Sequence, residues 1–357
     1  MRTSIAVRLL TTTLLLGGSA LAWAPPPADS ADTFTFAAAG DFALGGNFQA
    51  TAAAVQVHAP AFLITLGDLS YTVDGERAWC QYWQDLSFKN LLLLAGNHDT
   101  GESLGGNIDK YLKHCGNPFD KRIVGTYTRQ YYLDYPFEAP FARFILITPG
   151  IGGDTGGLDT DYREGSAGFK FTAAAIDEAR TRGIKWIVVG MHKNYVSTME
   201  KKNEVSVDAG QTFFTMLLNK KVDVILQAHE HGYERTKQVT TNPSTCPTLP
   251  FKTFQSTCIV DSDDALVKGA GTVIQVIGTG GKDMRNLEPG KPVYKYFVER
   301  FAYQDVEAFG FGSFAMTPTR LAFTYVRSRG AAFADSYTIS ETTPPQPAPH
   351  PAPGLDR

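Results

Sequence analysis

The stretch Phe62-Leu63-Ile64-Thr65-Leu66-Gly67-Asp68-Leu69-Ser70-Tyr71 predicts a strand that ends in a candidate functional group. Its first half is a run of large apolar residues typical of a buried strand, and Asp68 lies at the carboxyl end of that run. Tyr71 follows three residues later, close enough for one turn to bring its oxygen to the Asp68 carboxylate. A single aspartate after a strand usually caps the next element, so this stretch alone does not establish a site.

Four further apolar runs end in residues that can bind a metal ion. The runs are 34–40, 91–96, 186–191 and 222–228, and the residues that follow them are Asp41, Asn97-His98-Asp99, His192 and His229-Glu230-His231. Short apolar runs bounded by turn residues are typical of strands covered on both faces, and in such sheets ligands bind outside the carboxyl ends of the strands. Four of the seven histidines lie at these ends, which chance placement does not explain.

The rest of the chain predicts an alternation of helices and strands. Helical periodicity is clearest over 172–182 and 208–219, each before one of the late strands, and 50–58 can form a helix before the Asp68 strand. After the histidine pair, aromatic and β-branched residues predict strands at 271–277, 310–316, 321–328 and 332–340. We expect the segments 321–326 and 336–339 to be antiparallel strands that complete a second sheet against the first.

The N-terminus is typical of a secretory signal peptide. Arg2 and Arg8 accompany a short apolar core at 9–16, and small residues follow, with cleavage after Ala22 favoured over cleavage after Ala24. The core is too short to cross a bilayer, and no later stretch is suitable. We therefore expect a secreted, extracellular protein with no membrane span. The expected divisions are a signal peptide at 1–24, a disordered linker at 25–33, one domain at 34–341 and a Pro-rich disordered tail at 342–357.

The overall charge disfavours one class of partner. The formal net charge is −3 at pH 7, and removal of Arg2 and Arg8 would lower it by two more units. This balance argues against a protein that binds nucleic acid through its phosphate backbone. With 43% hydrophobic residues, the chain can instead bury a large core.

Four cysteines in an exported chain predict two disulfides, although four cysteines allow three connectivities. We favour the local pairs Cys80 with Cys115 and Cys246 with Cys258. The second pair would close a short loop in a Thr/Pro-rich segment, where a crosslink worth about 3 kcal/mol would matter. A zinc site built from the cysteines is the alternative, which is disfavoured because no two of them form a close Cys-x-x-Cys pair.

Together the strand-end residues offer carboxylate, phenolate, amide and imidazole donors. The set is Asp41, Asp68, Tyr71, Asn97, His192, His229 and His231. It is too large for one four-coordinate zinc ion, but it suits two ions about 3.5–4 Å apart that share a carboxylate. Such a pair can produce hydroxide from water near neutral pH and direct it at a phosphoryl group. A phenolate favours a hard trivalent ion such as iron(III), which leaves the His/Asn side to a divalent ion such as Fe, Zn or Mn.

In their order along the chain, these blocks resemble those of the calcineurin-like metallophosphoesterases. The tyrosine after the second aspartate and the Tyr-Glu-Arg after the last histidine resemble the purple acid phosphatases. The blocks are Asp41, Gly67-Asp68-Leu69-Ser70-Tyr71, Gly96-Asn97-His98-Asp99, His192 and His229-Glu230-His231-Gly232-Tyr233-Glu234-Arg235. The resemblance covers about 34–340 and implies an α/β fold, a four-layer αββα sandwich of two mixed β-sheets flanked by helices. It also implies hydrolysis of phosphate monoesters by attack of a metal-bound hydroxide.

The resemblance further implies a role for each position. Iron(III) would be held by Asp41, Asp68, Tyr71 and His231, and the second ion by Asp68, Asn97, His192 and His229. Asp68 would bridge the two ions and so take part in catalysis. His98 would contact the phosphate of a small phosphorylated substrate and protonate the leaving oxygen. Asn97 and Lys193 are further candidates for substrate contact, and Tyr233, Glu234 and Arg235 are expected to be structural.

Two departures and one competing motif leave alternatives open. Ala228 stands where the family usually has glycine, and 193–202 lacks the histidines that plant enzymes carry there. A phosphodiesterase of the same fold is therefore one alternative, and a secreted metal-binding protein without catalysis is another. The segment 101–105, Gly-Glu-Ser-Leu-Gly, matches the nucleophile elbow of serine hydrolases. That motif needs its serine on the turn directly after a strand, whereas Asn97-His98-Asp99 intervenes here.

Overall fold

A computed structural model describes residues 32–101, 105–152, 161–200, 210–304 and 306–341. The predicted signal peptide and Pro-rich tail lie outside the described residues, as do Ser103 of the serine-hydrolase motif and all but two residues of the predicted linker. These expectations therefore stay predictions.

The described residues form strands and helices that alternate along the first two thirds of the chain. The strands are β1 Phe34–Ala39, β2 Phe62–Thr65, β3 Leu91–Leu92, β4 Val124–Thr126, β5 Gln130–Tyr135, β6 Ala142–Ile147, β7 Trp186–Met191, β8 Val224–Gln227, β9 Tyr233–Thr236, β10 Gln238–Val239, β11 Ile259–Asp261, β12 Ala265–Val267, β13 Val273–Ile277, β14 Phe297–Phe301, β15 Ala308–Met316, β16 Arg320–Gly330 and β17 Ser336–Ser340. The α-helices are α1 Gly46–His58, α2 Glu76–Asp85, α3 Ile108–Cys115, α4 Ala167–Thr181 and α5 Gly210–Asn219. Short 3-10 helices lie at Asn97–Asp99, Asp120–Arg122, Ser256–Cys258 and Pro292–Tyr296.

Most strands belong to two mixed sheets. The first sheet has the order β12-β17-β16-β15-β1-β2-β3, the second has the order β14-β9-β13-β8-β7-β6-β5-β4, and β10 and β11 form a small ribbon. The first sheet is parallel from β1 to β3, and the second is parallel from β6 through β7 and β8 to β13. The remaining pairs are antiparallel except β12 with β17.

Strand β6 shows how the central strands are covered on both faces. Phe144 and Leu146 belong to the core between the two sheets, where the Phe144 ring lies 4.8 Å from that of Phe36 on β1. Ile145 and Ile147 belong to a second core against α4 and α5, because successive side chains of a strand point to opposite faces. On the far side, α1 packs on β15 and β16. The result is the predicted four-layer αββα sandwich.

Helix α4 starts earlier than its apolar pattern predicts. It begins at Ala167 rather than at Thr172, because the Ser166 side chain accepts a hydrogen bond from the amide of Phe169 and caps the helix there. Helix α1 likewise begins at Gly46 rather than at Ala50. In α1 no side chain caps the first turn, and the buried Phe48 lies before the predicted start.

The expectation that 321–326 and 336–339 complete a second sheet is wrong. Strands β16 and β17 are antiparallel, but β15 pairs with β1, so all three late strands extend the first sheet. The second sheet is built around β6, β7, β8 and β13. The strands that carry the candidate ligands are consequently divided, with β1 to β3 in one sheet and β7 and β8 in the other.

Both disulfides favoured from the sequence are present, Cys80–Cys115 and Cys246–Cys258. The first joins α2 to the end of α3, and the second closes the loop that precedes β11. None of the helices in the described parts of the chain has the length and hydrophobicity of a transmembrane segment.

The Tyr-Glu-Arg segment of β9 lies in a buried polar network. The Arg235 guanidinium donates to both carboxylate oxygens of Asp335, at 2.8 and 2.7 Å, and the Tyr233 hydroxyl donates to the same carboxylate at 2.5 Å. Asp335 precedes β17 of the first sheet, whereas β9 belongs to the second. The network therefore links the two sheets, which gives Tyr233 and Arg235 a structural role.

We expect Arg235→Leu to lower the free energy of unfolding by about 3–5 kcal/mol, because it leaves the Asp335 carboxylate buried without its charge partner. Denaturant unfolding measures the change. Arg163→Leu is the control: Arg163 pairs with Asp161 on the surface, and its loss should change the free energy by less than about 1 kcal/mol. Equal effects of the two substitutions would contradict a structural role for the network.

Candidate metal centre

All of the predicted metal ligands follow strand ends at one edge of the sandwich. Asp41 follows β1, Asp68 and Tyr71 follow β2, and Asn97 opens the 3-10 helix after β3. His192 follows β7, and His229 and His231 follow β8. Both sheets contribute ligands to one site, because the carboxyl ends of these strands all lie at the same edge of the sandwich.

One group of donors consists of Asp41, Tyr71 and His231. The Tyr71 hydroxyl lies 2.5 Å from Asp41 Oδ1 and 2.9 Å from His231 Nε2. His231 Nε2 is 3.5 Å from the same carboxylate oxygen. His231 Nδ1 lies 2.8 Å from the carbonyl oxygen of Asp283 and donates to it, which directs Nε2 towards the other two groups.

A second group consists of Asp68, Asn97, His192 and His229. His192 Nε2 lies 3.1 Å from Asn97 Oδ1, 3.1 Å from His229 Nδ1 and 3.3 Å from Asp68 Oδ2. His192 Nδ1 lies 2.7 Å from the carbonyl oxygen of Leu66 and donates to it, so its other nitrogen faces the donors. Ligand atoms of Asp68, His192 and His229 all lie within 4.8 Å of one another.

Asp68 lies between the two groups. Burial raises the pKa of Tyr71 well above its usual value, and the carboxylates of both Asp41 and Asp68 raise it further. Asp68 thus interacts with Tyr71 on one side and with His192 on the other. A carboxylate in this position can be shared by two ions.

The charges and protonation states of the centre favour binding of a cation. Burial raises the pKa of Asp41 to about 6, and the neighbouring Asp68 adds to the rise. Burial also opposes ionisation of Asp68, but His192 and nearby histidines hold the pKa of its carboxyl below the usual value. Burial and Arg285 lower the pKa of His231 to about 3, so this imidazole is neutral and keeps a lone pair for a metal. Buried carboxylates beside neutral nitrogen and oxygen donors form a set that binds metal cations.

Four of these residues hold an unusual backbone conformation. Asp41, Asp68, Tyr71 and His229 have φ of 56°, 56°, 55° and 69°, the left-handed region. That region costs about 1–2 kcal/mol for residues other than glycine. Glycine would adopt this conformation without the cost, but it has no side chain that could bind a metal. The backbone strain is therefore the cost of placing a ligand atom at each of these positions.

A family comparison agrees with this geometry. The model of the family described as calcineurin-like phosphoesterase matches residues 34–233, a span that contains every predicted metal ligand. The chain belongs to the calcineurin-like phosphoesterase family.

This phosphoesterase-family chain is similar to two curated relatives and to one solved structure. The "probable inactive purple acid phosphatase 27" of Arabidopsis thaliana is 25% identical over 77% of this chain and 42% of its own length. The "nucleotide pyrophosphatase/phosphodiesterase" of Hordeum vulgare is 23% identical over 77% of this chain and 70% of its own length. The purple acid phosphatase from yellow lupin (Lupinus luteus) seeds has a TM-score of 0.58 and 17% identity, covering 86% of this chain and 54% of that one. This chain spans 42–43% of the length of the first curated relatives it matches.

Asp99 is a positioning residue of this phosphoesterase-family site that the sequence analysis did not single out. Its buried carboxylate accepts hydrogen bonds from the amides of Asp68 at 2.7 Å, Gly96 at 2.9 Å and Leu69 at 3.0 Å. It therefore fixes the turn after β2 against the turn after β3. Gly96 is required there, because a Cβ atom at that position would lie 2.2 Å from Asp68 Oδ1. The only sequence signal was the place of Asp99 directly after Asn97-His98.

The predicted substrate-contacting residues lie beside the two donor groups. The His98 amide donates to Asp68 Oδ1 at 2.8 Å, and the His98 ring centre lies 4.5 Å from that of Tyr71. His98 is partly exposed, so its imidazole can meet a bound substrate. Asn97 belongs to the second donor group, and Lys193 is a partly exposed residue directly after His192. The contacts of these side chains with a substrate remain predictions.

The segment 281–285 contributes residues that the sequence analysis did not single out. Besides the Asp283 carbonyl, Arg285 lies at the centre, with Nη2 3.4 Å from His231 Nε2. Lys282 lies over the Tyr71 ring, with Nζ 5.3 Å from its centre. The two basic residues soon after Gly278-Thr279-Gly280-Gly281 were the available signal.

Proposed function

We propose that this protein is a secreted binuclear-metal phosphoesterase of the purple acid phosphatase type that hydrolyses phosphate monoesters. The convergence of two donor groups on Asp68 supports the proposal. Iron(III) would be bound by Asp41, Asp68, Tyr71 and His231. A divalent ion, Fe, Zn or Mn, would be bound by Asp68, Asn97, His192 and His229. When bound, such ions activate water near neutral pH and neutralise charge on the phosphoryl group.

The residues of this chain orient the reaction around the bound ions. The Asp99 carboxylate holds the two turns that carry Asp68 and Asn97, and the carbonyls of Leu66 and Asp283 fix the rings of His192 and His231. These contacts keep each donor atom directed at the centre without a substrate. Such preorganisation lowers the reorganisation needed in the transition state.

His98 is proposed as the acid that assists departure of the alcohol. A water oxygen forms a new bond to phosphorus, the bond from phosphorus to the ester oxygen breaks, and that oxygen leaves with the electron pair. His98 donates the proton that the leaving oxygen needs. The products are an alcohol and inorganic phosphate.

The test is hydrolysis of 4-nitrophenyl phosphate and of an alkyl phosphate by the metal-loaded protein. We expect a strong chelator to abolish both activities. His98→Asn should lower kcat for the alkyl ester by about 10²–10⁴-fold and for the nitrophenyl ester by less, because nitrophenolate leaves without protonation. Chelator-resistant activity would contradict metal dependence, and equal losses with both esters would contradict an acid role for His98.

Two alternatives have specific support. The name of the Hordeum vulgare relative and the lack of histidines at 193–202 favour a phosphodiesterase of the same fold. The name of the Arabidopsis relative favours a metal-binding protein without catalysis. Turnover of bis(4-nitrophenyl) phosphate well above that of the monoester would establish the first, and two bound ions without turnover of either ester would establish the second.

Export is part of the proposal. Support comes from the sequence of residues 1–24 and from two disulfides, which persist in oxidising compartments. Mass spectrometry of the protein from the culture medium should find a first residue at Trp23 or Pro25. A chain that keeps Met1 and stays inside the cell would contradict export.

A further inference from the structure

The turn after β2 carries two of the predicted metal ligands, and its two halves are held by different residues. The Asp99 carboxylate accepts hydrogen bonds from the amides of Asp68 at 2.7 Å and Leu69 at 3.0 Å. These bonds fix the half of the turn that begins with Asp68. The second half carries Tyr71, whose φ of 55° lies in the left-handed region. A residue strained in this way persists where its surroundings hold it in place.

Hydrogen bonds between Ser70 and Thr72 enclose Tyr71. The Ser70 hydroxyl donates to the Thr72 carbonyl at 3.3 Å and accepts from the Thr72 amide at 3.2 Å, and the Thr72 hydroxyl donates to the Ser70 carbonyl at 3.1 Å. Residues 72–74 are exposed, so packing does little to fix this half of the turn. The local bonds give the turn its shape, but they do not attach it to the rest of the protein.

Tyr111 of α3 supplies an attachment from outside the turn. Its hydroxyl donates to Ser70 Oγ at 2.5 Å, and both side chains are buried. The Tyr111 ring meets that of Trp79 on α2 edge to face, with 5.6 Å between the ring centres. The Trp79 ring lies in turn 5.8 Å from that of Phe42, the residue after Asp41. Tyr111 thus stands in a packed aromatic group directly beneath the ligand-bearing turns.

Helices α2 and α3 are joined to each other at two places. Glu76, at the start of α2, is buried and accepts from the amide of Asn107, the residue that caps α3, at 2.8 Å. The disulfide Cys80–Cys115 connects α2 to the last residue of α3. Because both ends of α3 are attached to α2, Tyr111 in its middle has a fixed position relative to the turn.

We propose that Tyr111 is a positioning residue that holds Tyr71 in the metal centre and thereby makes its donor group select iron(III) over a divalent ion. The inference rests on the proposed function and concerns the same site. The Tyr71 hydroxyl lies 2.5 Å from Asp41 Oδ1 and 2.9 Å from His231 Nε2, and it keeps this place while the turn is held. Without the phenolate, Asp41, Asp68 and His231 remain, and two carboxylates with one imidazole also suit a divalent ion.

The test is Tyr111→Phe, which keeps the ring and removes the hydroxyl. We expect the affinity for iron(III) to fall about tenfold, the effect of one lost buried hydrogen bond, and the visible absorption per bound iron to fall with it. The affinity of the second site for zinc should stay within twofold, because Asp99 still holds Asp68. Titration against a competing chelator, followed by metal analysis and absorption, measures both. In a Ser70→Ala background, Tyr111→Phe should weaken iron binding by less than a further twofold.

Tyr337→Phe is the matched control. Tyr337 is buried, and its hydroxyl donates to another side chain, that of Gln275, at 2.8 Å. It lies on β17, which β15 and β16 separate from β1. This variant should keep its iron affinity within twofold and should keep its colour. The inference is overturned if Tyr111→Phe leaves iron binding unchanged, weakens iron and zinc binding equally, or has no larger effect on iron than Tyr337→Phe has.

The outcomes separate this inference from the proposed function. If wild type hydrolyses the esters but prefers zinc to iron(III) at both ions, selection of iron is overturned while metal-dependent hydrolysis stands. If wild type binds no metal ion and hydrolyses no ester, the proposed function fails. Crystal structures then decide the positioning role: in Tyr111→Phe the Tyr71 hydroxyl must move beyond hydrogen-bonding distance of Asp41, and an unchanged position overturns it.

Discussion

Asp68→Ala should bind neither metal ion and should hydrolyse 4-nitrophenyl phosphate no faster than buffer does. Asp68 contacts both donor groups, Tyr71 on one side and His192 on the other. Its removal takes away the shared carboxylate and leaves the remaining donors divided between two incomplete sites. Metal analysis after gel filtration, together with initial rates, measures the effect.

Alanine at this position also disturbs the backbone, since Asp68 has φ of 56°. Asp68→Asn avoids this confusion, because asparagine tolerates the left-handed conformation and keeps an oxygen for the His98 amide. It should still lose both ions, as it lacks the charge. Asp74→Asn is the control, with φ of 57° in the same loop and a carboxylate that pairs with Lys110 on the surface. Two bound ions in Asp68→Asn would contradict the bridging role.

Tyr71→Phe should remove the visible colour of the iron-loaded protein. A phenolate bound to iron(III) gives a ligand-to-metal charge-transfer band. Burial and two carboxylates raise the pKa of Tyr71, so only a strongly polarising cation would take its proton. The substitution keeps the ring beside His98 and removes only the oxygen. Activity should fall only in part, because Asp41, Asp68 and His231 still bind the ion. Visible absorption at equal iron content is the measurement.

Tyr131→Phe is the control for this experiment. Tyr131 is buried and its hydroxyl donates to the Leu93 carbonyl at 2.9 Å, away from the centre. That variant should keep its colour. If the oxidised, fully iron-loaded wild type has no band, or if Tyr71→Phe keeps the band, Tyr71 is not the phenolate ligand of iron(III) and only packs over the turn.

The local parts of the site could be predicted from sequence. Each apolar run contains a strand, and its polar residue follows the run directly. A polar residue that follows such a run in the sequence therefore lies near the end of a strand in the structure. Asp41 after β1 and His192 after β7 are of this kind. The chemical types of the donors then indicate a metal centre without knowledge of the fold.

The pairing of strands could not be predicted in the same way. Buried and more exposed residues alternate along β16, which indicates a strand with one buried face. This alternation does not identify the strand with which β16 or its neighbour β15 pairs. The partner of β15 is β1, more than 250 residues earlier in the chain, and nothing local encodes that contact. The expected second sheet was therefore assigned to the wrong strands.

Residues that position another residue could not be predicted from the sequence either. Asp99 resembles any helix-capping aspartate until its three amide donors are seen, two of which come from the turn after β2. The Asp283 carbonyl orients His231 through the main chain, which leaves no side-chain signal.

The most direct test of a two-ion centre is a crystal structure of the metal-loaded protein with anomalous data at the iron edge and at the edge of the divalent metal. The account predicts two ions about 3.5–4 Å apart, with the Asp68 carboxylate between them. Tyr71 should bind the iron and Asn97 the other ion. A single ion at this edge of the sandwich, or two ions that share no contact with Asp68, would contradict it.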